Sequence, residues 1–330
     1  MGDVAATPHA LNTAREPVAP PAAAQTIAEE VGALPYAAFL VESGELAAFV
    51  AEAESIPHVV YEIGRLRELT FRAVGEGTGK ALDLDSFDGH YLHLVLWNRE
   101  RAEVVGAYRC GATDRILPRF GADGLYTSTL FSYRTELLAR LTPALELGRA
   151  FVRAEYQRTY SPLLLLWKAI GRFIVRNPGY HRLFGSVSLS GDVPPRAQRW
   201  ILRHLLESAY LPGLARFVRA RHPVGEERLI DRSAGPRFAD MADLERAIGA
   251  LGGASVGVPV LLKQYLKLGG LTFAFGRDPG FGDTLDILTL VDLARTPRTM
   301  LERYLGKGVG SFLDYHAFRE PANRLLGAAA

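Results

Sequence analysis

The chain contains 330 residues, of which 48% are apolar, so it is long enough to bury a sizeable core in one large domain or two moderate ones. Its net charge of +2 is too small to indicate a protein that binds nucleic acid. The single cysteine, Cys110, excludes an internal disulfide, and no cluster of cysteine and histidine has the spacing of a zinc site. We therefore expect a cytoplasmic protein without a bound metal ion.

The N-terminal segment is rich in alanine and proline and lacks the basic start and apolar stretch of a signal peptide. We predict a disordered lead-in over residues 1–32. No uninterrupted apolar run reaches the roughly 18 residues that a membrane-spanning helix requires.

Residues 149–221 contain 13 lysines and arginines against three acidic residues. Two interpretations of this basic region stay open. It is either a solvated face of arginine-rich helices or a surface for an acidic partner or an anionic membrane. The second interpretation would place the protein peripherally on the inner membrane.

The first half of the chain predicts strands and one long helix. Tyr36–Glu42 and Leu46–Glu52 are short apolar runs that suggest two strands, or a strand and a turn. Ser55 can cap a helix that has Pro57 in its first turn and runs to about Val74.

Gly75–Lys80 ends that helix with three glycines in five residues. The segment follows a helix rather than a strand and lacks the spacing of a Walker motif, so it predicts a flexible active-site loop rather than a phosphate-binding loop.

The central part of the chain alternates strands and helices. His90–Trp97 and Glu103–Cys110 have the pattern of an antiparallel hairpin, and Leu125–Tyr133 and Ala144–Arg153 flank a short helix at Arg134–Leu141. An apolar helix at Leu163–Val175, a buried strand at Arg182–Ser190 and a helix from Pro194 to about Tyr210 follow. This order predicts an α/β domain with a mixed sheet.

Beyond Pro223 the composition shifts toward glycine and charged residues. We place the main domain at residues 33–222 and a C-terminal extension, packed on it, at residues 223–330. Within the extension Asp243–Leu251 and Val258–Leu268 predict helices, and Leu285–Leu290 predicts a strand.

Several segments in a fixed order resemble the ornithine lipid N-acyltransferases and their hemolysin-like relatives. These proteins belong to the Gcn5-related acetyltransferase (GNAT) superfamily, beside the acyl-homoserine lactone synthases. The resemblance covers roughly residues 45 to 315. The segments that carry it are Glu62–Phe71, Asp83–Asp88 with His93 and Leu94, Gly106–Arg109, Glu146–Val152, Phe184–Leu189, Val258–Gly269 and Phe281–Asp286.

The resemblance implies an acetyltransferase-like (GNAT) α/β fold, with a mixed central sheet flanked by helices and a C-terminal helical or α+β extension. It implies transfer of a long-chain, 3-hydroxy fatty acyl group to the amine of a small amino acid, ornithine first and glycine next, as the first step of aminolipid synthesis. The donor would be a phosphopantetheine thioester on acyl carrier protein, with acyl-CoA as the alternative, and no cofactor would be bound.

The acyl-homoserine lactone synthases imply which residues gather around the active site. The residues in question are Arg67, Phe71, Asp85, Asp88, Arg109, Glu146 and Arg149. Acyl transfer to an amine needs a general base, and Glu146 is the candidate carboxylate. Residues three apart in a strand face opposite sides, so Glu146 and Arg149 share a face only if the strand bulges or ends there; otherwise Arg149 orders the loop behind.

Asp85 and Asp88 are candidates for binding the acceptor's ammonium group. Arg109 could pair with these aspartates or hold the acceptor's carboxylate through two hydrogen bonds. His93 is either a proton shuttle or a core histidine bonded to the backbone. Cys110 would be a buried small residue rather than a nucleophile.

The segment Gln157–Ser161 before the Leu163 helix contains no glycine, which departs from the usual coenzyme A signature and favours a carrier protein as donor. Candidate donor-binding residues share positive charge or a helix start: Arg153, Arg158, Ser161, Lys168 and Arg172. The run Leu163–Trp167 either lines an acyl tunnel or belongs to the core.

Two alternative functions stay open. An acyl-homoserine lactone-type synthase would need an S-adenosylmethionine site and a shorter chain. A non-catalytic lipid- or membrane-binding protein of the hemolysin-like kind would need no catalytic base.

Overall fold

A computed structural model describes residues 15–158, 161–225, 236–252 and 257–317. The strands are β1 Phe39–Ser43, β2 Leu46–Glu52, β3 Leu92–Asn98, β4 Glu103–Ala112, β5 Phe131–Tyr133, β6 Leu145–Val152, β7 Arg182–Leu189, β8 Val218–Ala220, β9 Leu271–Asp278 and β10 Thr284–Asp292. The α-helices are α1 Ala24–Gly32, α2 Pro57–Arg72, α3 Thr113–Phe120, α4 Thr135–Leu141, α5 Ser161–Arg176, α6 Pro195–Ser208, α7 Pro212–Ala215, α8 Met241–Gly252, α9 Val260–Lys267, α10 Arg298–Leu305 and α11 Val309–Ala317.

Eight strands form one twisted central sheet in the order β1-β2-β3-β4-β6-β7-β10-β9. Every neighbouring pair is antiparallel except β6 and β7, which are parallel. The predicted α/β class with a mixed sheet is therefore confirmed. A second, two-stranded sheet pairs β5 with β8.

Helices cover both faces of the central sheet because side chains alternate along each strand. In β3, Leu94 and Leu96 pack into the core beneath α5, whereas Val95 and Trp97 pack into a second core beneath α1 and α2. All four side chains are buried. The long apolar run of this strand reflects burial on both sides.

The start of α2 corrects two predictions. Ser55 does not cap the helix; the N-cap is Ile56, and no side chain of that residue takes part. Instead, the carboxylate of Glu30 in α1 accepts hydrogen bonds from the backbone N–H groups of His58 and Val59, at 2.9–3.0 Å. A carboxylate satisfies the free N–H groups at a helix start and interacts favourably with its dipole.

The disordered lead-in is consequently wrong for residues 15–32. Helix α1 buries Ile27 and Val31 in the core beneath α2, and the backbone of Glu16 donates a hydrogen bond to the carbonyl of Gly79. The apolar residues of α1 are too few to reveal in the sequence that they cover α2. Residues 1–14 lie outside the described residues.

The predicted boundary at residue 222 does not separate two structural units, because the extension contributes strands to the central sheet. β10 pairs with β7 along its whole length, from Leu285 opposite Leu189 to Asp292 opposite Arg182. β9, which the sequence pattern did not reveal, pairs with β10 and forms the edge of the sheet.

Residues 125–133 form mostly turns rather than the predicted strand. A 3-10 turn spans Tyr126–Thr129, and only Phe131–Tyr133 is extended. The backbone N–H groups of Tyr126 and Thr127 donate to the carboxylate of Glu146, so they are not available to a strand ladder.

The parallel pair β6 and β7 separates soon after it begins. Leu145 lies opposite Leu183 and Glu146 opposite Phe184, and the pairing ends there. Beyond this point β6 also bulges against β4, where Gly148 pairs with Arg109 and Phe151 with Ala107. The two strands therefore diverge and leave a gap in the middle of the sheet.

Among the described residues, no helix combines the length and the apolar character that a membrane-spanning segment needs.

Close packing of α5 on α10 gives a test of the fold. A Cβ atom added at Gly171 would lie 2.4 Å from the backbone oxygen of Tyr304. We expect Gly171→Ala to lower the free energy of unfolding by about 1–3 kcal/mol through overpacking, measured by urea denaturation. The matched control is Gly249→Ala in α8, where an added Cβ atom would have nothing within 4 Å apart from its chain neighbours and the backbone of its own helix. It should raise stability by roughly 0.5–1 kcal/mol, and equal effects at both sites would contradict the packing.

Candidate active site

A cavity of about 980 Å³ occupies the gap between β6 and β7. Its walls come from the C-terminal half of α2 and the start of α5. The other lining residues include 147–153, at the end of β6, and 186–190, at the end of β7. One part is apolar, and its main lining residues are Leu66, Leu69, Val152, Leu163, Leu166, Val187, Leu189 and Leu261. The cavity exists because β6 and β7 stop pairing where its lining begins.

The other part of the cavity is polar and centres on Arg149. The β6 bulge gives this residue a φ of 49° and turns its side chain into the cavity. Its guanidinium carbon lies 4.7 Å from the ring centre of Phe281, 4.9 Å from that of Tyr126 and 5.9 Å from that of Phe71. Aromatic rings contact the cation through their faces. Its Nη1 atom lies 3.5 Å from Asp83 Oδ2, and its Nε atom makes no hydrogen bond among the described residues, so the guanidinium can still bind an anion.

Asp286 of β10 lines the same part of the cavity. Its Oδ1 atom accepts hydrogen bonds from the hydroxyl groups of Ser186 at 2.9 Å and Ser188 at 2.8 Å, and its Oδ2 atom accepts one from Thr284 at 3.1 Å. Burial raises the pKa of Asp286 to about 6, against the opposing effect of these hydrogen bonds.

Glu76 faces Asp286 from the glycine-rich loop after α2 and also lines the cavity. The carboxylate of Glu68 holds this loop by accepting hydrogen bonds from the backbone N–H groups of Thr78 and Gly79 and from the Thr78 hydroxyl. Burial and the charge of Asp286 raise the pKa of Glu76 to about 7, and the charge of Arg149 opposes this rise.

The predicted acidic loop lies behind the cavity, in a buried network of charges. Arg67 donates to Asp88 Oδ1 at 2.8 Å, while Arg109 lies 2.5 Å from Asp85 Oδ1 and 3.2 Å from Asp88 Oδ2. Asp85 and Asp88 also close a capping box around the turn 86–89. Both aspartates are paired with arginines, and neither is among the described residues that line the cavity. The contacts therefore favour a structural role over binding of the acceptor's ammonium group.

Glu146 is fully buried and also lies outside the cavity lining. Its carboxylate accepts hydrogen bonds from the Tyr91 hydroxyl and from the N–H groups of Tyr126 and Thr127. Burial raises the pKa of Glu146. The bulge brings Arg149 to the same side of the sheet, since both residues contact Tyr126. This geometry makes Glu146 a residue that positions Tyr126 and gives no support to its predicted role as the base.

His93 is a core histidine bonded to the backbone, and not a proton shuttle at the cavity. Its Nε2 atom lies 2.9 Å from the backbone oxygen of Asp88, and the ring is fully buried. Burial and the charge of Arg67 lower the pKa of His93 to about 4, so the ring is neutral at pH 7. It is not among the described cavity-lining residues, and the structure does not bring it near the polar part of the cavity.

The structure brings two of the five predicted donor-binding residues to the cavity. Arg153 and Arg158 line it, and Arg153 is paired with Glu103 at 2.7 Å and Glu155 at 3.2 Å. Ser161, Lys168 and Arg172 lie on α5, outside the described lining. Of the Leu163–Trp167 run, Leu163 and Leu166 line the cavity, whereas Trp167 packs in the core against Tyr108, Tyr265 and Tyr304.

Sequence reasoning missed Glu76, Tyr126 and Asp286 as residues of the cavity. Asp286 closes the segment Phe281–Asp286 that carried part of the family resemblance, so a signal was present without a role attached to it. Glu76 lies in the glycine-rich loop that we predicted as an active-site loop. Nothing in the sequence distinguishes Tyr126 from the chain's other tyrosines.

Comparisons with known proteins agree with this fold. Residues 66–168 match the family model of the acetyltransferase (GNAT) domain. These residues run from α2, across β3, β4 and β6, to the first half of α5. They include the cavity-lining residues of α2, β6 and α5. The predicted resemblance to the Gcn5-related acetyltransferase superfamily is confirmed.

Two curated relatives are glycine N(alpha)-acyltransferases. The protein of Phocaeicola vulgatus is 38% identical over 152 residues, which cover 43% of this chain and 47% of the relative. The protein of Bacteroides thetaiotaomicron is 36% identical over 168 residues, which cover 48% and 50%. The chain spans about half the length of these relatives.

The solved structure of FeeM, an N-acyl amino acid synthase from uncultured soil microbes, has 11% identity and a TM-score of 0.41. The alignment covers 78% of this chain and 96% of FeeM. At that TM-score it adds nothing to the family match.

The buried charge network predicts a large loss of stability on removal of one charge. We expect Asp88→Asn to lower the free energy of unfolding at pH 7 by about 3–5 kcal/mol, because it leaves Arg67 and Arg109 short of a buried counter-charge. Urea denaturation measures this change. The matched control, Asp123→Asn on an exposed turn, should change stability by less than about 0.5 kcal/mol.

The same variant has a predicted pH dependence. Burial acts to raise the pKa of Asp88, but the charges of Arg67 and Arg109 outweigh burial and hold that pKa well below its usual value. The stability that the carboxylate contributes is therefore complete above its unfolded-state pKa near 4 and is lost as the pH falls further. The gap between wild type and Asp88→Asn should narrow below about pH 4. A gap that stays constant to the lowest pH at which the protein folds would contradict this explanation.

Proposed function

We propose that the chain is an N-acyltransferase that moves a long-chain fatty acyl group from a thioester to the amine of a small amino acid. The observation that carries the proposal is the shape and chemistry of one cavity, which joins an apolar part to a polar part where Arg149 lies near the carboxylates of Asp286 and Glu76. An acyl chain fits the first part and an amino acid fits the second. The names of the two curated relatives support the same reaction.

We propose glycine as the first acceptor to test, followed by ornithine. This reverses the order expected from the sequence, because both curated relatives are named for glycine. Arg149 is our candidate for binding the acceptor's carboxylate, since its guanidinium faces the cavity between aromatic rings. The 3-hydroxy group on the acyl chain and the place of the reaction in aminolipid synthesis remain part of the proposal.

The acyl group would pass directly from thiol to amine. Cys110 is the only cysteine in the sequence, and burial raises its pKa to about 12, so it stays protonated at neutral pH and is a poor nucleophile. Backbone groups along the separated edges of β6 and β7 are placed to hydrogen-bond an extended thioester arm.

We propose acyl carrier protein as the donor, with acyl-CoA as the alternative. Arg153 and Arg158 at the cavity are suited to a phosphate group or to acidic residues of a carrier. A cytoplasmic location with peripheral contact at the inner membrane would suit the acyl product, and it belongs to the same proposal.

The reaction is tested by incubating the full chain with palmitoyl or 3-hydroxypalmitoyl thioesters, either of acyl carrier protein or of coenzyme A, and with glycine, ornithine, lysine or glutamine. We expect N-acylglycine by mass spectrometry, with release of one thiol per product. Release of methylthioadenosine on addition of S-adenosylmethionine would point instead to a lactone-type synthase. No product and no free thiol with any pair would refute the proposal and favour a non-catalytic lipid-binding protein.

The acyl-binding role of the apolar part predicts a change of chain-length preference. Leu163→Trp should fill part of the cavity, and each methylene group that no longer fits costs about 0.8 kcal/mol, so the loss of two lowers kcat/KM for palmitoyl donors roughly tenfold. Decanoyl donors should be affected less. The measurement is kcat/KM across a series of chain lengths.

Leu164→Trp is the matched control, because this neighbouring residue is also half-buried but is not among the described residues that line the cavity. It should lower kcat/KM equally for all chain lengths or not at all. The same chain-length shift in both variants would place the acyl chain elsewhere.

A further inference from the structure

Around Arg149 the cavity places two carboxylates, Asp286 and Glu76, close enough for each charge to act on the other, within a lining that also includes Arg65, Arg153 and Arg158. The Nη1 atom of Arg149 already lies 3.5 Å from Asp83 Oδ2. Two carboxylates in a partly desolvated space repel each other, and the charge of Asp286 contributes to the raised pKa of Glu76. A cationic guest would relieve this repulsion.

Asp286 is held in one orientation by neutral groups. Hydroxyl donors on Ser186, Ser188 and Thr284 fix both oxygens, and no ion pair to Asp286 occurs among the described residues. Asp85 and Asp88 differ in this respect, since arginines neutralise both. The Asp286 carboxylate therefore has no cationic partner among the described residues and is oriented to bind a cationic group inside the cavity.

Glu76 is placed differently from Asp286. It lies on the glycine-rich loop, is half-buried, and its carboxylate makes no hydrogen bond or ion pair within the part of the chain that the structure describes. A carboxylate with access to both the cavity and water can take up a proton inside and release it outside.

We propose that Asp286 binds the ammonium group of the amino-acid acceptor and that Glu76 accepts the proton that this group loses before it attacks the thioester. The inference rests on the proposed function and names the acceptor site and the base within it. It replaces Asp85, Asp88 and Glu146, which the sequence had suggested for these two roles.

The ammonium gives one proton to Glu76, the neutral nitrogen bonds to the carbonyl carbon, and the carbon–sulfur bond breaks. The nitrogen then loses its second proton, which ends on the leaving thiolate to give the free thiol. Glu76 returns its proton to water, so each turnover yields one amide, one thiol and one proton.

Charged and titratable groups from several elements face these carboxylates. Arg149 of β6 and Asp286 of β10 act on Glu76, and Asp192 lies beside the backbone of Gly75. Asp278 of β9 acts on Asp286. Because Glu76 must be ionised to accept a proton, kcat/KM should rise as the pH rises through about 7, the pKa of Glu76.

Binding of small amides tests the ammonium site without relying on turnover. Glycinamide carries the ammonium group and lacks the carboxylate, while propanamide has nearly the same shape without the charge. By calorimetric titration of the full chain, glycinamide should bind and propanamide should not. Asp286→Asn should weaken glycinamide binding about tenfold, the value of one charge-assisted hydrogen bond.

Asp283→Asn is the control for this titration. Asp283 lies in the β9–β10 turn three residues before Asp286, is exposed, and pairs with Arg277 outside the described cavity lining. It should leave glycinamide binding unchanged. Equal binding of glycinamide to wild type and Asp286→Asn, or no binding to wild type, would overturn the ammonium site.

Kinetics test the base. Glu76→Gln should lower kcat for N-palmitoylglycine formation by roughly 10²–10³-fold, with little change in the KM for glycine, and the rise of kcat/KM through about pH 7 should vanish. Glu76→Asp, which keeps a carboxylate, should retain part of the activity and the rise with pH. Asp286→Asn should mainly raise the KM for glycine.

The outcomes separate this inference from the proposed function. Wild type that forms no N-acyl product with any donor refutes the proposed function and the role of Glu76 together, while the glycinamide titration still decides the site at Asp286. Active wild type with an unchanged pH profile in Glu76→Gln refutes the base and leaves the proposed function intact.

Discussion

The buried pairing of Arg67 and Arg109 with Asp88 is the interaction on which the rest of the site depends. Both arginine side chains are fully buried, at 0% and 1% exposure, so neither can be left without a counter-charge. Through Asp88 they join α2, the acidic loop and β4 into one rigid unit. Arg109 also lies over the rings of Tyr91 and Tyr126, which fixes the wall behind the cavity.

This unit explains why residues that resemble an active-site set need not touch the substrate. Phe71 lies one turn beyond Arg67 on α2 and reaches the cavity, where it packs near Arg149 and against Phe281. Glu146 holds the turn that carries Tyr126. The buried charges therefore act on the chemistry through the aromatic rings and the one arginine that they position.

The site also depends on a local interruption of the central sheet, where β6 and β7 stop pairing. β6 and β7 pair at only two positions, and the bulge in β6 adds a residue that faces the cavity. Without this separation the apolar faces of α2 and α5 would meet continuous strands, and there would be no room for an acyl chain. Pairing of β7 with β10 brings Asp286 to the same gap, although it lies 137 positions beyond Arg149 in the sequence.

Much of the fold could be predicted because apolar alternation and helical spacing are local properties. They located α2, β3, β4, β6, α5 and β7 to within a few residues, and the order of these elements predicted the mixed sheet. Contacts between distant segments were not readable. Glu30 caps α2 from a segment that we predicted as disordered. β9 is recognisable by its pairing with β10, which the sequence does not show.

The candidate site was predicted less well, because its residues come together through contacts between distant segments. Sequence reasoning identified Phe71, Arg149, Arg153 and Arg158, which line the cavity, since they fell in matched motifs or a basic region. It assigned the ammonium and the base to Asp85, Asp88 and Glu146, because the arginines and N–H groups that occupy those carboxylates come from other elements. A cluster of acidic residues in the sequence does not reveal which of its carboxylates are paired with arginines in the fold.

A crystal structure of the full chain with bound N-palmitoylglycine would show whether this cavity holds both the acyl chain and the amino acid. We expect the palmitoyl chain against Leu163 and Val187, the amide beside Asp286 and the glycine carboxylate within hydrogen-bond distance of Arg149. Product bound at any other surface, or a cavity that stays empty in crystals soaked to saturation, would contradict this expectation.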